Sequence, residues 1–129
     1  MTTNLQLIQK AKQIAKPHHI NKDIATGEVG SALLTNKKNV YIGVSLHMYC
    51  GIGFCAEHSA IASMVTNQEF VIEKIVAVSS KGNILPPCGR CRELILQINK
   101  KNLNTEVIIG KNKTVKLKEL LPYRWEKTQ

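Results

Sequence analysis

Apolar residues recur every three or four positions in three stretches of the chain, which is the spacing of one helix face. The first stretch covers residues 3–15 and is followed by Pro17, the second covers 55–65, and the third covers 88–99. The pattern therefore predicts three amphipathic helices. The side chains predicted to face the core are Leu5, Ile8, Ala11 and Ile14 in the first, Ala56, Ala60, Ile61 and Met64 in the second, and Leu94, Ile95 and Ile98 in the third.

Shorter segments rich in apolar residues predict strands. These segments are residues 29–35, 40–45, 72–78, 105–109 and 114–117. A polar turn at 36–39 joins the first two strands as an antiparallel hairpin, and the nearly continuous apolar character of the third places it centrally. Residues 20–27 read as a loop, and Leu120 and Leu121 indicate a helical turn. This order predicts an α/β fold, a mixed sheet covered by helices.

The chain has 129 residues, of which 43% are hydrophobic, a size and composition that fit one domain spanning 1–129. No apolar run is long enough to cross a bilayer, and the first residues lack the pattern of a secretion signal. We therefore expect a cytoplasmic protein. In that compartment the four cysteines are metal ligands or free thiols rather than disulfides.

The formal net charge is +9. A charge of this size can indicate a nucleic-acid or other acidic partner. The basic residues are not interleaved with aromatic residues as in a single-strand binding groove, and many lie in predicted turns: Lys37, Lys38, Lys100, Lys101, Lys111 and Lys113. We interpret the charge as a lysine-rich surface and expect a small-molecule partner rather than a membrane or a nucleic acid.

Two short motifs open the second and third predicted helices. They are Cys55-Ala56-Glu57 and Pro87-Cys88-Gly89-Arg90-Cys91. Cys88 and Cys91 are three residues apart and share one helix face, and a helix N-terminus favours thiolate over thiol. Three cysteine ligands with a fourth position left to water, and a glutamate that is not a ligand, are the signature of zinc nucleobase deaminases. The motifs predict one Zn²⁺ per chain.

The spacing of Cys55 and Glu57 sets a geometric condition. Residues two apart in a regular helix point roughly 200° away from each other. Both side chains can reach one site only if Cys55 lies at the very start of its helix. The preceding loop contains Gly51 and Gly53, and this makes such a start feasible.

The predicted chemistry is attack by a zinc-bound hydroxide on a ring carbon that carries an amino group. Glu57 would take the proton of the water, protonate the ring nitrogen and pass a proton to the departing ammonia. Three thiolates leave the site with a formal charge of minus one. Arg90 and Arg92 are the predicted positive groups that hydrogen bond to the sulfurs and offset it.

Three other interpretations stay open. Cys50 could complete a closed, non-catalytic site with four cysteine ligands. Cys88 and Cys91 alone could form a redox pair. A deaminase acting on bases in RNA or single-stranded DNA would suit the basic charge and would bind with a steep salt dependence.

At these motifs the sequence resembles the cytidine deaminase superfamily, and within it the small enzymes that act on cytidine and on the antibiotic blasticidin S. Residues 29–33 resemble the first strand of that family, and 120–122 resemble its end. The resemblance implies a three-layer α/β/α fold with a mixed five-stranded sheet. It also implies zinc held by Cys55, Cys88 and Cys91, proton transfer by Glu57, and a homotetramer with active sites at subunit contacts.

The departures from the family concern the substrate. Cytidine deaminases hold the ribose with an Asn and a Glu of an Asn-Val-Glu-Asn stretch, which here is Ser45-Leu46-His47-Met48. His58 stands where an arginine is often found after the catalytic glutamate. Two features are similar to the blasticidin S type: Arg90 and Arg92 in the cysteine motif, and an aromatic tail that contains Tyr123 and Trp125. Glu28 would suit a cationic substrate. The residues predicted to contact the substrate are Ala56, through its backbone N–H, and Glu28, Ser45, His47, Pro86, Tyr123 and Trp125.

Overall fold

Four α-helices and a seven-stranded mixed sheet make up the regular structure of residues 1–125, the part of the chain that the computed structural model describes. The last four residues of the predicted domain lie outside the described residues. The helices are α1 (Asn4–Ile14), α2 (Ala56–Thr66), α3 (Gly89–Ile98) and α4 (Leu117–Leu120). The strands are β1 (His18–His19), β2 (Ala25–Thr35), β3 (Val40–His47), β4 (Ile72–Ser79), β5 (Ile84–Leu85), β6 (Glu106–Gly110) and β7 (Lys113–Lys116).

The five longer strands lie in the order β3–β2–β4–β6–β7, and all five correspond to predicted segments. Strand β2 is antiparallel to both β3 and β4, β4 is parallel to β6, and β6 is antiparallel to β7. The predicted mixed sheet is therefore confirmed. Two strands of two residues each, β1 and β5, extend the pairing of β2 and β4.

Two local predictions were wrong, and the bounds of a third were shifted. Residues 25–27 belong to β2 rather than to a loop, because Ala25 and Thr26 pair with the distant end of β3. Leu5 is 60% exposed and Leu7 is fully buried in its place, whereas the predicted Ala11 is buried and the predicted Ile8 packs against the core. The predicted helical turn is present but begins earlier, at the fully buried Leu117, and Leu120 is its last residue.

Alternate residues of the central strands point to opposite faces of the sheet, and each face packs against helices. Helix α1 covers one face, and α2, α3 and α4 cover the other. In β2, Leu33 faces α2, while Ala32 and Leu34 face α1. The structure thus has three layers, as the resemblance implied.

Two glycines let the helices approach the strands closely. A Cβ atom at Gly43 would lie 2.4 Å from the backbone nitrogen of Ala60, so β3 and α2 meet almost backbone to backbone. A Cβ atom at Gly30 would lie 2.2 Å from the carbonyl oxygen of Ala11 in α1. A side chain at either position would push a helix away from the sheet.

A buried amide fixes the far end of α3. Asn102 is fully buried, and its side chain accepts a hydrogen bond of 2.8 Å from the backbone N–H of Ile72. It donates to the carbonyl oxygens of Phe70, at 3.1 Å, and Ile95, at 3.0 Å. These bonds hold α3 against the start of β4.

The direction of the strands decides where α2 and α3 begin. Both β3 and β4 are antiparallel to β2, so they run in the same direction. After β3 the chain passes to α2, and after β4 and the short β5 it passes to α3. Both helices therefore begin at one edge of the sheet. Within residues 1–125, no helix has the length and apolar character needed to cross a membrane.

We expect Gly43→Ala to destabilise the protein by about 2–3 kcal/mol, because the added methyl group collides with backbone atoms that cannot rotate away. Gly110→Ala is the matched control, since its Cβ atom would meet the nearest atom, Cβ of Lys113, at an ordinary 3.6 Å. Its effect should stay within about 0.5 kcal/mol. Urea unfolding of both variants measures the difference, and equal midpoints would show that the close approach is not needed.

Candidate active site

Three cysteine sulfurs meet where α2 and α3 begin. The Sγ atoms of Cys55 and Cys88 are 3.4 Å apart, and those of Cys88 and Cys91 are 3.5 Å apart. All three lie within 4.8 Å of one another. The sulfurs come from segments more than thirty residues apart in the chain, which the shared sheet edge brings together.

Two of the cysteines are helix N-cap residues. Cys55 precedes α2 with φ −70° and ψ 157°, and Cys88 precedes α3 with φ −68° and ψ 168°. Because an N-cap residue has an extended backbone, its side chain does not follow the helical rotation. Cys55 therefore lies at the very start of its helix, which is the condition for Cys55 and Glu57 to reach one site. Both residues line the same cavity.

The separations of the sulfurs fit one tetrahedral zinc ion. Zn–S bonds of about 2.3 Å place tetrahedral sulfurs about 3.8 Å apart, close to the distances observed. Cys50 is exposed and lies outside the cluster, so the closed site with four cysteine ligands is contradicted. Cys55 and Cys88 line an open cavity, so a metal ion held by the three sulfurs would be accessible to water.

Two of the three cysteine thiols are held in surroundings that do not favour bare thiolates. Burial raises the pKa of Cys55 and, more strongly, that of Cys91. Burial also opposes ionisation of Cys88, but hydrogen bonds from the backbone N–H groups of Cys91 and Arg90 help to bring its pKa below the usual value. Buried thiols in such a cluster lose their protons when a cation replaces them, so the donor set fits a divalent metal ion.

Glu57 lies in the first turn of α2 and is only 4% exposed. Burial raises the pKa of its carboxyl group, although hydrogen bonds from its own backbone N–H and from the Cys91 thiol oppose the shift. The carboxyl group is thus beside the sulfur cluster, removed from bulk water and facing the cavity. Such a position is typical of a group that transfers protons.

The cavity has a volume of about 380 Å³, large enough for a small heterocyclic ligand. It contains five of the predicted contact or charge-balancing residues: Ser45, His47, Ala56, Pro86 and Arg90. The Oγ atom of Ser45 accepts a hydrogen bond of 3.0 Å from the backbone N–H of Val29, which fixes it at the edge of β2.

Other predicted contact residues lie outside the cavity lining in this chain. Glu28 is exposed, and its carboxylate accepts a hydrogen bond of 3.4 Å from the hydroxyl group of Ser80. The side chains of Tyr123 and Trp125 are 96% and 72% exposed. The backbone N–H of Trp125 donates to the carboxylate of Glu93 at 2.9 Å, so the terminal segment lies along α3.

Arg92 is placed differently from the prediction. Its Nε atom donates to the carbonyl oxygen of Pro87 at 2.8 Å, and its Nη1 atom donates to that of Leu120 at 3.0 Å. These bonds connect the loop before Cys88 to the end of α4. The guanidinium group is occupied by carbonyl oxygens, because the chain folds α4 back onto this loop.

Sequence reasoning missed the contacts of His58 and Phe54. The Nδ1 atom of His58 lies 3.5 Å from the Sγ atom of Cys91, and its ring stacks on that of Phe54 with centroids 5.8 Å apart. Phe54 also lines the cavity. The spacing Cys55-x-x-His58 placed the histidine near the motif, but the partner, Cys91, comes from another helix.

Comparisons with known proteins agree with this site. The sequence model of the cytidine and deoxycytidylate deaminase zinc-binding region matches residues 1–107. The chain is 29% identical to a blasticidin-S deaminase of Bacillus cereus, over 95% of this chain and 91% of that protein. It is 29% identical to a cytidine deaminase of Mycobacterium tuberculosis (strain CDC 1551 / Oshkosh), over about half of each chain (54% and 53%).

Solved structures show the same fold at lower sequence identity. A cytidine deaminase from Mycobacterium tuberculosis superposes with a TM-score of 0.81 at 22% identity, covering 98% of this chain and all of that one (100%). A cytidine deaminase from Burkholderia pseudomallei gives a TM-score of 0.77 at 24% identity, covering 96% of this chain and 100% of that one.

We expect the purified protein to contain about one zinc ion per chain and Cys88→Ala to lose it, because the substitution removes one of the three ligands. Zinc binding at such a site also contributes to the free energy of folding. The variant should also unfold at a lower temperature. Elemental analysis and thermal unfolding give the two readouts. Cys50→Ala is the control and should keep its zinc; loss of the metal from this variant would contradict the three-cysteine site.

Proposed function

The chain belongs to the zinc-binding family of cytidine and deoxycytidylate deaminases, and from this premise we propose that it removes the 4-amino group of a cytosine nucleoside or nucleoside analogue by hydrolysis. It is a zinc-dependent hydrolase. In the proposed reaction, the oxygen of water bonds to C4 of the ring, the C4–N bond breaks, and ammonia leaves.

One observation carries the proposal: a buried carboxyl group lies beside a three-sulfur cluster at the floor of an open cavity. Cys55, Cys88 and Cys91 are the residues that would hold the ion. When bound, zinc acts as a Lewis acid that makes water a better nucleophile at neutral pH. A closed structural site would need neither the cavity nor the acid.

Glu57 moves the protons in this proposal. Its carboxylate accepts a proton from the attacking water and donates it to the ring nitrogen next to C4. It then transfers a proton from the added hydroxyl group to the amino group, which departs as neutral ammonia. Because burial raises its pKa, the carboxyl group changes its protonation state more readily near neutral pH than an exposed glutamate would.

The start of α2 provides a contact for the base. Ala56 is the first residue of the helix, is fully buried and lines the cavity. Backbone N–H groups in the first turn of a helix have no partner within the helix. The N–H of Ala56 is therefore suited to donate to the pyrimidine carbonyl, with Pro86 forming an apolar wall of the cavity.

Ser45 and His47 occupy the end of β3 at the cavity, where the sugar would lie. Neither is a carboxylate or an amide, so a ribose would lack the Asn and Glu that hold it in cytidine deaminases. A relative of blasticidin-S deaminase type, aligned along nearly the whole chain, also supports an analogue as substrate. The choice of substrate decides whether the enzyme serves pyrimidine salvage or antibiotic resistance.

We further propose that the chain assembles as a homotetramer with active sites at subunit contacts. The exposed aromatic rings of Tyr123 and Trp125 lie outside the cavity lining of their own chain. A large apolar side chain held at the surface is stabilised by a neighbouring surface. In the tetramer these rings, together with Glu28, would be available to a substrate bound at a subunit contact.

We expect Glu57→Gln to lower the deamination rate by about 10²–10⁴-fold while the zinc content stays unchanged, because only the proton carrier is removed. Absorbance assays of cytosine compounds and elemental analysis give the two readouts. Glu106→Gln is the matched control, since it makes the same chemical change in β6, outside the cavity. Deamination that persists in Glu57→Gln would contradict the role of this residue.

The substrate class is tested by comparing kcat/KM for cytidine, deoxycytidine and blasticidin S, with a cytosine-containing single-stranded DNA as a fourth substrate. We expect the highest value for blasticidin S and no turnover of the DNA, since the usual ribose contacts are replaced by Ser45 and His47. A higher kcat/KM for cytidine would refute the preference for the analogue, and turnover of the DNA would favour a nucleic-acid deaminase.

A further inference from the structure

Three thiolates around one zinc ion carry an excess negative charge that nearby donors must stabilise. The backbone N–H groups of Cys91 and Arg90 at the start of α3 favour the thiolate form of Cys88 and help to lower its pKa. Cys91 is fully buried one turn further along, where the N–H groups of the helix begin to bond within the helix. A side chain is therefore the natural source of a donor for Cys91.

The two arginines of the motif are not in contact with this sulfur among the described hydrogen bonds. Arg92 donates to the carbonyl oxygens of Pro87 and Leu120. Arg90 is exposed and lines the cavity. Within residues 1–125, the side-chain nitrogen that lies next to the Cys91 sulfur is instead Nδ1 of His58, at a distance of 3.5 Å.

The surroundings of His58 fix its ring in this position. The ring lies nearly parallel to that of Phe54, with an interplanar angle of 22°. His58 is in the first turn of α2, three residues after Cys55, so the same helix start positions the Cys55 sulfur and this imidazole. His58 is not part of the group of mutually close ligand atoms, which makes it a neighbour of one sulfur rather than a fourth ligand.

We propose that His58 is a positioning residue whose Nδ1–H donates a hydrogen bond to the zinc-bound thiolate of Cys91. The inference rests on the proposed zinc site and assigns a role to the histidine that replaces the arginine often found in the family. A hydrogen bond to the thiolate withdraws electron density from the sulfur and fixes its orientation. The ring stack then links the metal site to Phe54, a wall of the substrate cavity.

Two features agree with this assignment. Burial and the nearby charge of Arg90 lower the pKa of His58, which favours the neutral ring. A thiolate next to Nδ1 favours the tautomer that carries its hydrogen on Nδ1, because a thiolate accepts a hydrogen bond and cannot donate one.

Two substitutions separate the hydrogen bond from the ring packing. His58→Phe keeps an aromatic ring against Phe54 but removes the donor, whereas His58→Asn places an amide N–H near the Nδ1 position and loses the stack. We expect His58→Phe to weaken zinc affinity by about 10–100-fold and His58→Asn by no more than about threefold. Competition with a chromophoric chelator at fixed pH measures both affinities.

Equal zinc affinities for His58→Phe and the wild type would overturn the proposal. Equal losses in His58→Phe and His58→Asn would also overturn it, because the ring packing rather than the donor would then explain the effect. Cobalt-substituted proteins give a second readout. Removing the donor should shift the thiolate-to-cobalt absorption band to lower energy in His58→Phe and leave it near the wild-type position in His58→Asn.

A measurement on the wild type keeps the test independent of how the variants fold. In ¹⁵N-labelled, zinc-loaded protein, we expect the Nδ1 resonance of His58 to be that of a protonated ring nitrogen, and an unprotonated Nδ1 would refute the hydrogen bond. None of these readouts requires turnover. A chain that retains zinc in this pattern but deaminates nothing would refute the proposed function and leave the role of His58 supported.

Discussion

The three sulfurs converge because β3 and β4 run in the same direction and each is followed by a helix that begins at the same sheet edge. Gly43 allows the backbone of α2 to approach β3, and Asn102 ties the far end of α3 to β4. With both helices fixed, Cys55 and Cys88 occupy N-cap positions whose sulfurs are 3.4 Å apart. A shift of either helix by a fraction of a turn would separate the ligands.

The same convergence removes water from the groups that perform the chemistry. Burial raises the pKa of Glu57 and of Cys91, so without a metal ion the site disfavours negative charge on both groups. A divalent ion would favour the thiolate form of the cysteines over the protonated form, and the carboxyl group would stay free to transfer protons. His58, packed between Phe54 and Cys91, extends the polar network to the cavity wall.

Local patterns predicted much of this structure. Helical periodicity and the Pro-Cys-x-x-Cys motif located α2 and α3 to within a residue or two, because both depend on interactions within one turn. One residue of the predicted inner face of α1 was wrong: Leu5 fits the periodicity as well as Leu7 does, and only the approach of β2 at Gly30 decides that Leu7 is the buried one. The two-residue strands were also missed, since their pairing partners are distant in the chain.

The sequence by itself determined the chemistry of the site, because the identity of ligands and acid depends on residue type and on spacing within single helix turns. It also determined the mixed sheet, through the alternation of apolar segments. Only the tertiary structure decided which side chains share the cavity: it brought in Ser45 and His47, left Glu28 and Trp125 outside, and paired His58 with Cys91. These contacts join segments that are distant in the chain, and their geometry depends on how whole helices pack on the sheet.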